Sequence, residues 1–218
     1  MFNAAKITII LSAALVFSAC ATAIPTSSRM SETMMMGIKQ GPVKAVAFEY
    51  LSAIQDGEIE PVGKDTRETQ PMGPTYEHTE NSTFNRMLYD YIGMKFPAID
   101  AAAPVKVKVT LNDFWIEQYN TSSTGKQIMV GLIGGEMNVA VVDHLALAFE
   151  FSNGRAPVTK NVLVESDSTH VQGIGTYTNT SLYNRGRDSI EFRVAEAMNG
   201  ANNKAIALLN QFIDSQTF

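Results

Sequence analysis

Two alternating segments joined by an Asn-Gly turn constrain the fold of this chain more than any other feature. Apolar and polar residues alternate through residues 137–151, and the alternation resumes over residues 158–171. A period of two residues is typical of strands with one buried face. Asn153 and Gly154 lie between the segments and tolerate the positive φ angles of a tight turn. The sequence therefore predicts a long antiparallel hairpin.

Two earlier segments also have the pattern of strands. Residues 43–51 are rich in residue types that favour strands. Residues 105–116 alternate apolar with polar residues until the phase slips at Asp113. A slip of one residue would turn every later side chain to the other face, so we predict a β-bulge near Asp113. Residues 52–81 are polar and broken by glycines and prolines, which predicts a long connection.

Two segments have apolar residues at helical intervals. Residues 82–95 and 190–212 each carry the apolar stripe of an amphipathic helix. Asp188 and Glu191 form a pair like a capping box at the start of the second helix, and Gly200 could kink or divide it. Together with the strands, these helices predict an α+β fold, an antiparallel sheet of about four strands with two amphipathic helices packed on one face.

The first twenty residues have the layout of an export signal. Lys6 provides a short positive region, and residues 7–17 are an apolar run that is too short to span a bilayer. Small residues then precede Cys20, which is the only cysteine in the chain. An exported domain without disulfides must be held together by its core alone, which a chain of 218 residues can do.

The segment that ends at Cys20 resembles the lipobox of bacterial lipoproteins. Residues 16–20 read Val-Phe-Ser-Ala-Cys, and Phe17 departs from the aliphatic residue usual at that position. The resemblance implies that Cys20 receives a diacylglyceryl group and, after cleavage, an N-terminal acyl chain. Each buried methylene contributes about 0.8 kcal/mol, so two or three chains hold a protein firmly on a membrane. The alternative is an ordinary secretory signal cut at Ala19 or Ala23, with an incidental Cys20.

The lipobox resemblance also implies a domain layout and an address. Residues 1–19 would be a lipoprotein signal peptide, and residues 20–41 a lipidated cysteine with a flexible tether. Residues 42–218 would form a single periplasmic α+β domain. Ala21 stands after the cysteine, where an aspartate would indicate a different sorting route, so the implied address is the periplasmic face of the outer membrane of a Gram-negative bacterium.

Composition excludes several classes of function. The chain has 17 basic and 22 acidic residues, a formal net charge of −5, and no clustered basic segment. Nucleic-acid backbones require clustered positive charge, so no nucleic-acid partner is expected. A hydrophobic content of 45% is that of a globular chain with one sizeable core, not of a disordered chain. No cofactor is expected apart from the covalent lipid on Cys20.

Catalytic and metal-binding patterns are weak in this sequence. Only three histidines could act as a general base, and they are His78, His144 and His170. Asp143 and His144 are neighbours in a predicted strand, so their side chains should point to opposite faces and Asp143 should not orient the imidazole. His78 lies in a polar segment that lacks the helical spacing of a zinc site. We therefore expect no catalytic residue, no metal site and no enzymatic activity.

The segment 119–135 is the most distinctive part of the mature chain, since it begins polar and ends apolar. Its apolar residues are the candidate partner-binding residues: Ile128, Met129, Val130, Leu132 and Ile133. If these side chains are exposed, they form a patch of the kind that docks a partner or a bilayer. If they are buried, they are the start of a strand that enters the sheet. The sequence leaves both interpretations open.

The order of signal, tether, strand, helix and hairpin is similar to that of small outer-membrane lipoproteins of the YajG type. The matching stretches are residues 105–119, 140–171 and 190–213, and the match is one of layout and length. The resemblance implies a lipid-anchored, non-enzymatic protein that binds an envelope protein, as assembly and transport accessories do. The alternatives are a carrier or plug for a lipid or glycolipid, and an envelope hydrolase.

Overall fold

The chain forms an α+β structure. The computed structural model describes residues 22–24, 28–69, 74–121, 123, 135–174 and 190–218. Its strands are β1 (Thr22–Ala23), β2 (Ala47–Ser52), β3 (Gly57–Ile59), β4 (Tyr76–His78), β5 (Val105–Asn120), β6 (Gly135–Asn153) and β7 (Val158–Ile174). Its helices are α1 (Glu32–Gly37), α2 (Glu80–Lys95) and α3 (Ile190–Asp214). The predicted fold class and the four-stranded sheet are confirmed.

The four-stranded sheet has the order β2-β5-β6-β7 and is mixed. Strands β5, β6 and β7 form the predicted antiparallel meander, and Gly154 in the β6–β7 turn has a φ of 81°. Strand β2 instead pairs in parallel with β5, from Ala47 opposite Lys106 to Ser52 opposite Leu111. The prediction of an antiparallel sheet is therefore corrected. The physical reason is that α2 lies between β2 and β5 and carries the chain back to the starting edge, as parallel pairing requires.

The predicted bulge in β5 is confirmed. The register between β5 and β6 shifts between Leu111 and Asp113, so that Asn112 has no partner across the pair. Before the bulge Leu111 faces the core, and after it Phe114 and Ile116 do. One extra residue thus keeps both halves of a 16-residue strand buried on the same face.

Helices α2 and α3 each carry an aromatic residue close to an aromatic residue of the large sheet. On α2, the Phe84 ring lies 6.1 Å from that of Tyr50. On α3, the Phe212 ring lies 6.0 Å from that of Phe149. Helix α3 is one continuous helix through Gly200, so the predicted kink is absent. A Cβ atom at Gly200 would overlap the Ser166 hydroxyl, which shows that the glycine allows a close approach to β7.

A second, small sheet forms from three short strands in the order β1-β4-β3. Strand β1 runs parallel to β4, with Thr22 opposite Tyr76, and β3 runs antiparallel to β4, with Ile59 opposite Tyr76. Strands β3 and β4 lie within residues 52–81, which the sequence predicts to be a connection, and β1 lies within the predicted tether. Its strands are two or three residues long, which is too short for an alternating pattern to appear.

The segment after β1 lies along the two long helices. Arg86 of α2 donates a hydrogen bond of 2.8 Å to the carbonyl of Ser28. Asn199 accepts a hydrogen bond from the backbone N–H of Arg29, and Asn203 accepts one from that of Ser31. Residues 28–31, within the predicted tether 20–41, therefore make hydrogen bonds to α2 and α3.

Candidate functional site

Two of the predicted sites lie outside the described residues. These are Cys20, the predicted lipidation site, and the candidate partner-binding residues Ile128, Met129, Val130, Leu132 and Ile133. The side chain of His170 is also outside them. No cofactor is indicated, and the described residues contain no group of three or more His, Cys, Asp or Glu side chains placed to hold a metal ion. None of the described helices combines the length and the apolarity needed to cross a membrane.

His78 is a packed core residue in β4. Its side chain is buried, and its ring lies 4.9 Å from that of Phe114. Its Nδ1 atom accepts a hydrogen bond of 3.3 Å from the backbone N–H of Glu80. Burial lowers the pKa of His78, with a smaller opposing effect from Asp56. The environment therefore favours a neutral imidazole that anchors the start of α2.

His144 belongs to a polar cluster on the sheet face away from the core. We call this group, Arg67, Trp115, Glu117, His144 and Glu165, the outer-face cluster. The His144 and Trp115 rings are stacked, with centroids 4.5 Å apart and planes 4° from parallel. This stack follows from the register, which places the two residues directly opposite each other on β5 and β6.

The imidazole of His144 lies between two carboxylates. Its Nε2 atom is 3.6 Å from Glu117 Oε1, and its Nδ1 atom is 3.4 Å from Glu165 Oε1. A neutral imidazole has one N–H, so it can direct a proton at only one of these groups, whereas an imidazolium can direct protons at both. The ring of His144 on β6 thus lies between a carboxylate of β5 and one of β7.

Arg67 covers the other side of the indole. Its guanidinium carbon lies 3.5 Å from the centre of the Trp115 ring, and its Nη1 atom is 2.7 Å from Asp113 Oδ2. The segment that carries Arg67 is held to the edge of β5, because Val62 donates to the carbonyl of Ile116 and accepts from the N–H of Gln118. Tryptophan and arginine are enriched among residues that dominate binding energy at protein interfaces.

A second cluster is buried between the sheet and the helices. We call Glu80, Asp143 and Asn202 the carboxyl cluster; the three residues come from α2, β6 and α3 and are all fully buried. None of their six side-chain oxygen and nitrogen atoms has a hydrogen bond of ordinary geometry. Asp143 and His144 are adjacent in the chain but contribute to different clusters, because successive side chains of a strand point to opposite faces.

Burial favours the protonated forms of the two acids in the carboxyl cluster. Burial raises the pKa of Glu80 to about 8, with a smaller lowering effect from the Asn202 amide and a raising effect from Asp56. Burial and the nearby Glu80 carboxyl raise the pKa of Asp143 well above its ordinary value. Two unpaired carboxylates are costly in a low-dielectric core, so the cluster is neutral or nearly neutral at pH 7.

A small cavity adjoins Glu80. Its other lining residues include Ile24, Ser28 and Thr83, so the N-terminal segment forms part of its wall. The cavity has room for about one water molecule. A carrier for a lipid chain would need a cavity many times larger than this one.

A third cluster, at the other end of α2, is fully paired. We call Tyr91, Lys95, Asn210 and Asp214 the lysine cluster. Lys95 is 1% exposed, and its ammonium donates to Asn210 Oδ1 at 3.0 Å and to Asp214 Oδ1. The hydroxyl of Tyr91 donates to the same Asn210 oxygen at 3.2 Å. These contacts join the last turn of α2 to the last turns of α3.

Strand β7 forms a long free edge of the large sheet. It is 17 residues long and last in the strand order, and within the described part of the chain no strand pairs with its outer side. The carbonyl of Glu165 accepts a hydrogen bond of 2.8 Å from Lys204 of α3. Leu163 is 55% exposed on the outer face, between the charged Glu165 and the polar Asn161.

Sequence reasoning singles out His78 and His144 but misses the carboxyl cluster, and it assigns His78 to a polar connection rather than to a strand. A glutamate in the first turn of a helix is ordinarily exposed and interacts with the helix dipole. In this helix Asp56, not Glu80, interacts with the exposed N–H groups of the first turn, because its carboxylate accepts from the N–H of Ser82 at 3.3 Å. The one available signal was Asp143, an acidic residue at a position where the strand's alternation requires an apolar one.

The comparisons with known proteins show no family for this chain. No protein-family model matches the chain, and no curated protein matches it. An uncharacterised protein of known structure matches with a TM-score of 0.40 and 9% identity, over 81% of this chain and 97% of that one.

Two other solved structures carry a fuller description. A Xanthomonas campestris protein of the DUF330 family matches with a TM-score of 0.36 and 14% identity, over 83% of this chain and 95% of that one. Rare lipoprotein B from Shewanella oneidensis matches with a TM-score of 0.35 and 12% identity, over 78% of this chain and 94% of that one. These descriptions do not include the YajG type, and no residue role is carried over from them.

Proposed function

We propose that this chain is a lipid-anchored, non-enzymatic protein of the periplasmic face of the outer membrane that binds an envelope protein. The anchor is supported by the sequence alone, through the apolar run at residues 7–17 and the lipobox that ends at Cys20. The partner is supported by the geometry of the domain, which exposes a sheet edge and an adjoining face with binding-competent side chains.

The free edge of β7 is the observation that carries the binding proposal. An exposed strand edge presents unpaired N–H and C=O groups that can pair with a strand of another chain. Native proteins protect such edges with charged side chains, and Glu165 and Asp167 do so at the middle of β7. These charges oppose non-selective pairing and favour a partner strand with complementary basic residues.

The outer-face cluster lies beside this edge and would supply side-chain contacts. Arg67, whose side chain is 55% exposed where it lies over Trp115, provides a cationic contact two strands away from β7, and Leu163 provides an exposed apolar contact. The candidate partner-binding residues 128–133 lie outside the described residues, and their role in binding a partner stays a prediction from the sequence.

The anchor is tested with Cys20→Ser and metabolic palmitate labelling. We expect the native chain to incorporate palmitate and to float with envelope membranes, and the variant to do neither. A variant that still floats to the same extent and a native chain without label would contradict the anchor.

The binding surface is tested by site-specific photocrosslinking in intact envelopes. A photoreactive residue at Leu163 should give one discrete crosslinked protein, because that side chain lies on the outer face at the free edge. The matched control is Asp90, which is exposed on α2, and it should give none. Equal crosslinking at both positions, or none at Leu163, would exclude β7 as the binding edge.

A further inference from the structure

The carboxyl group of Glu80 is separated from solvent by the N-terminal segment, the name we use for the described residues 22–24 and 28–31. Ile24 and Ser28 of this segment line the small cavity next to Glu80, together with residues of α2 and α3. Both are buried, at 5% and 7% exposed. The N-terminal segment therefore closes one side of this cavity.

The surroundings of Glu80 offer no compensation for a negative charge. The titratable and amide side chains around it are Asp56 between β2 and β3, Tyr50 of β2, His78 of β4, Asp143 of β6 and Asn202 of α3. Two of these are acids, and burial favours the neutral form of the imidazole. Within the described part of the chain the carboxyl oxygens of Glu80 have no ion pair and no hydrogen bond of ordinary geometry. An ionised Glu80 would be very costly in this position unless water reached it.

The N-terminal segment is the part of this enclosure that opens at the lowest cost. The rest of the cavity wall belongs to α2 and α3, which carry many residues of the hydrophobic core. The backbone of the segment is held at exposed positions, where the N–H groups of Arg29 and Ser31 donate to asparagines of α3. Its buried apolar side chains are Ile24 and Met30. Exposed hydrogen bonds and few buried apolar side chains are typical of regions that open locally.

We propose that docking of the N-terminal segment requires a neutral Glu80, so that the segment is released when this carboxyl ionises. Withdrawal of Ile24 and Ser28 opens the cavity and lets water solvate the carboxylate. Release also frees Asn199 and Asn203 of α3, whose amides bind the backbone of the segment while it is docked. This coupling depends on neither the lipid anchor nor an envelope partner.

The direction of the pH dependence follows from the burial of Glu80. Burial raises the pKa of its carboxyl to about 8, whereas a solvated glutamate titrates near its ordinary pKa of 4.5. The docked state therefore keeps the proton up to about pH 8, while the released state loses it at lower pH. Docking is strongest below the ordinary pKa, weakens as pH rises and stops changing above about pH 8.

The test is hydrogen exchange of the full chain in detergent micelles, measured by mass spectrometry at pH 6 and pH 8. The readout is the protection of the backbone amides of residues 28–31, corrected at each pH for the exchange rate of an unstructured chain. We expect this protection to fall at least about tenfold from pH 6 to pH 8 in the native chain. The amides of α3 should stay protected at both pH values, because only the segment opens.

Glu80→Gln keeps the shape of the side chain and cannot ionise, so protection of residues 28–31 should be the same at both pH values. Glu77→Gln is the matched control, since Glu77 is exposed, and it should retain the native fall. Equal protection at pH 6 and pH 8 in the native chain, or the same fall in Glu80→Gln, would overturn the proposal. A loss of protection in α3 together with the segment would also overturn it, because the whole domain would then be unfolding.

Asn203→Ala tests the docked state itself without changing any titratable group. The variant removes one hydrogen bond to Ser31 and one to Arg29. Protection of residues 28–31 should be lower than in the native chain by about fivefold at both pH values, with the fall from pH 6 to pH 8 retained. Protection equal to that of the native chain would show that α3 does not hold the segment, and the proposal would fail.

Discussion

The two ends of helix α2 bury ionisable side chains of opposite type in different ways. Glu80 is its first residue and Lys95 its last, and both are almost fully buried against α3. The ammonium of Lys95 has two hydrogen-bond acceptors, one of them the carboxylate of Asp214. The carboxyl of Glu80 has no such partner and lies near a second acid, Asp143. The lysine cluster therefore links α2 to α3 through hydrogen bonds to a buried charge. The carboxyl cluster instead buries two acids that keep their protons.

Glu80→Gln is expected to have the largest effect, which is on the pH dependence of stability. The folded state keeps a proton on Glu80 up to about pH 8, while the unfolded chain loses it near its ordinary pKa. The folded state then binds more protons, so the free energy of unfolding falls as pH rises from about 5 to about 8, by on the order of 1 kcal/mol per pH unit. The variant should lose the part of this slope that Glu80 contributes, while Asp143 retains its own, and it should be more stable than the native chain at pH 8 in urea unfolding.

Glu77→Gln is the control for this experiment, because Glu77 is exposed and adjacent to the same region. Its slope should equal that of the native chain. Equal slopes for Glu80→Gln and Glu77→Gln would show that Glu80 is already ionised in the folded state.

The next largest effect is expected from Asp214→Ala in the lysine cluster. The variant leaves the buried ammonium of Lys95 with Asn210 as its remaining acceptor. Removing one partner of a buried pair costs about 3 to 5 kcal/mol, and we expect the lower value because Asp214 is itself half exposed. Urea unfolding at pH 7 measures the loss, and Asp90→Ala on the exposed side of α2 is the control. A loss equal to that of the control would show that Asp214 does not stabilise the buried charge.

A smaller effect is expected from Gly200→Ala, two residues before Asn202 of the carboxyl cluster. In an unobstructed helix this change stabilises the fold by up to about 1 kcal/mol. Here the new methyl overlaps the hydroxyl of Ser166, so we expect a destabilisation of about 2 kcal/mol in urea unfolding. The double variant Gly200→Ala with Ser166→Gly should recover most of the loss. A single variant that is more stable than the native chain would mean that α3 does not lie this close to β7.

His144→Gln is expected to have the smallest effect on stability but a clear effect on tryptophan fluorescence. Trp115 is the only tryptophan, and its ring is stacked on the imidazole. Removing the stacked ring changes the surroundings of the indole, so the emission of the variant should differ in wavelength or intensity from that of the native chain at pH 7. His78→Gln is the control, because His78 packs on Phe114 rather than on Trp115, and it should leave the emission unchanged. The same emission spectrum from His144→Gln and the native chain would mean that the two rings are not stacked.

The long elements of the fold could be predicted because their patterns are strong and local. The alternation around Asn153 and Gly154 predicted the β6–β7 hairpin, and the change of phase at Asp113 predicted the bulge. Both features depend only on which face of a strand is apolar. The sequence did not reveal the direction of β2, because parallel and antiparallel pairing use the same alternation and differ only in how the chain returns.

The polar clusters could not be predicted for a different reason. Glu80 and Lys95 stand where charged residues normally interact with the ends of a helix in solvent. Their burial depends on α3, whose contacting residues Asn202 and Asn210 are more than a hundred positions away. Such contacts have no local pattern, so a single sequence does not distinguish a buried glutamate from a solvated one.

The parallel pairing of β1 with β4 has a consequence for the order in which the chain becomes structured. During synthesis Thr22 and Ala23 are made early, but among the described residues their strand neighbours are Tyr76 and Glu77, which are made only after all of β2 and β3. Closing this loop costs more chain entropy than closing the short β6–β7 turn. The first strand to be made therefore stays unpaired until the chain has been made through β4.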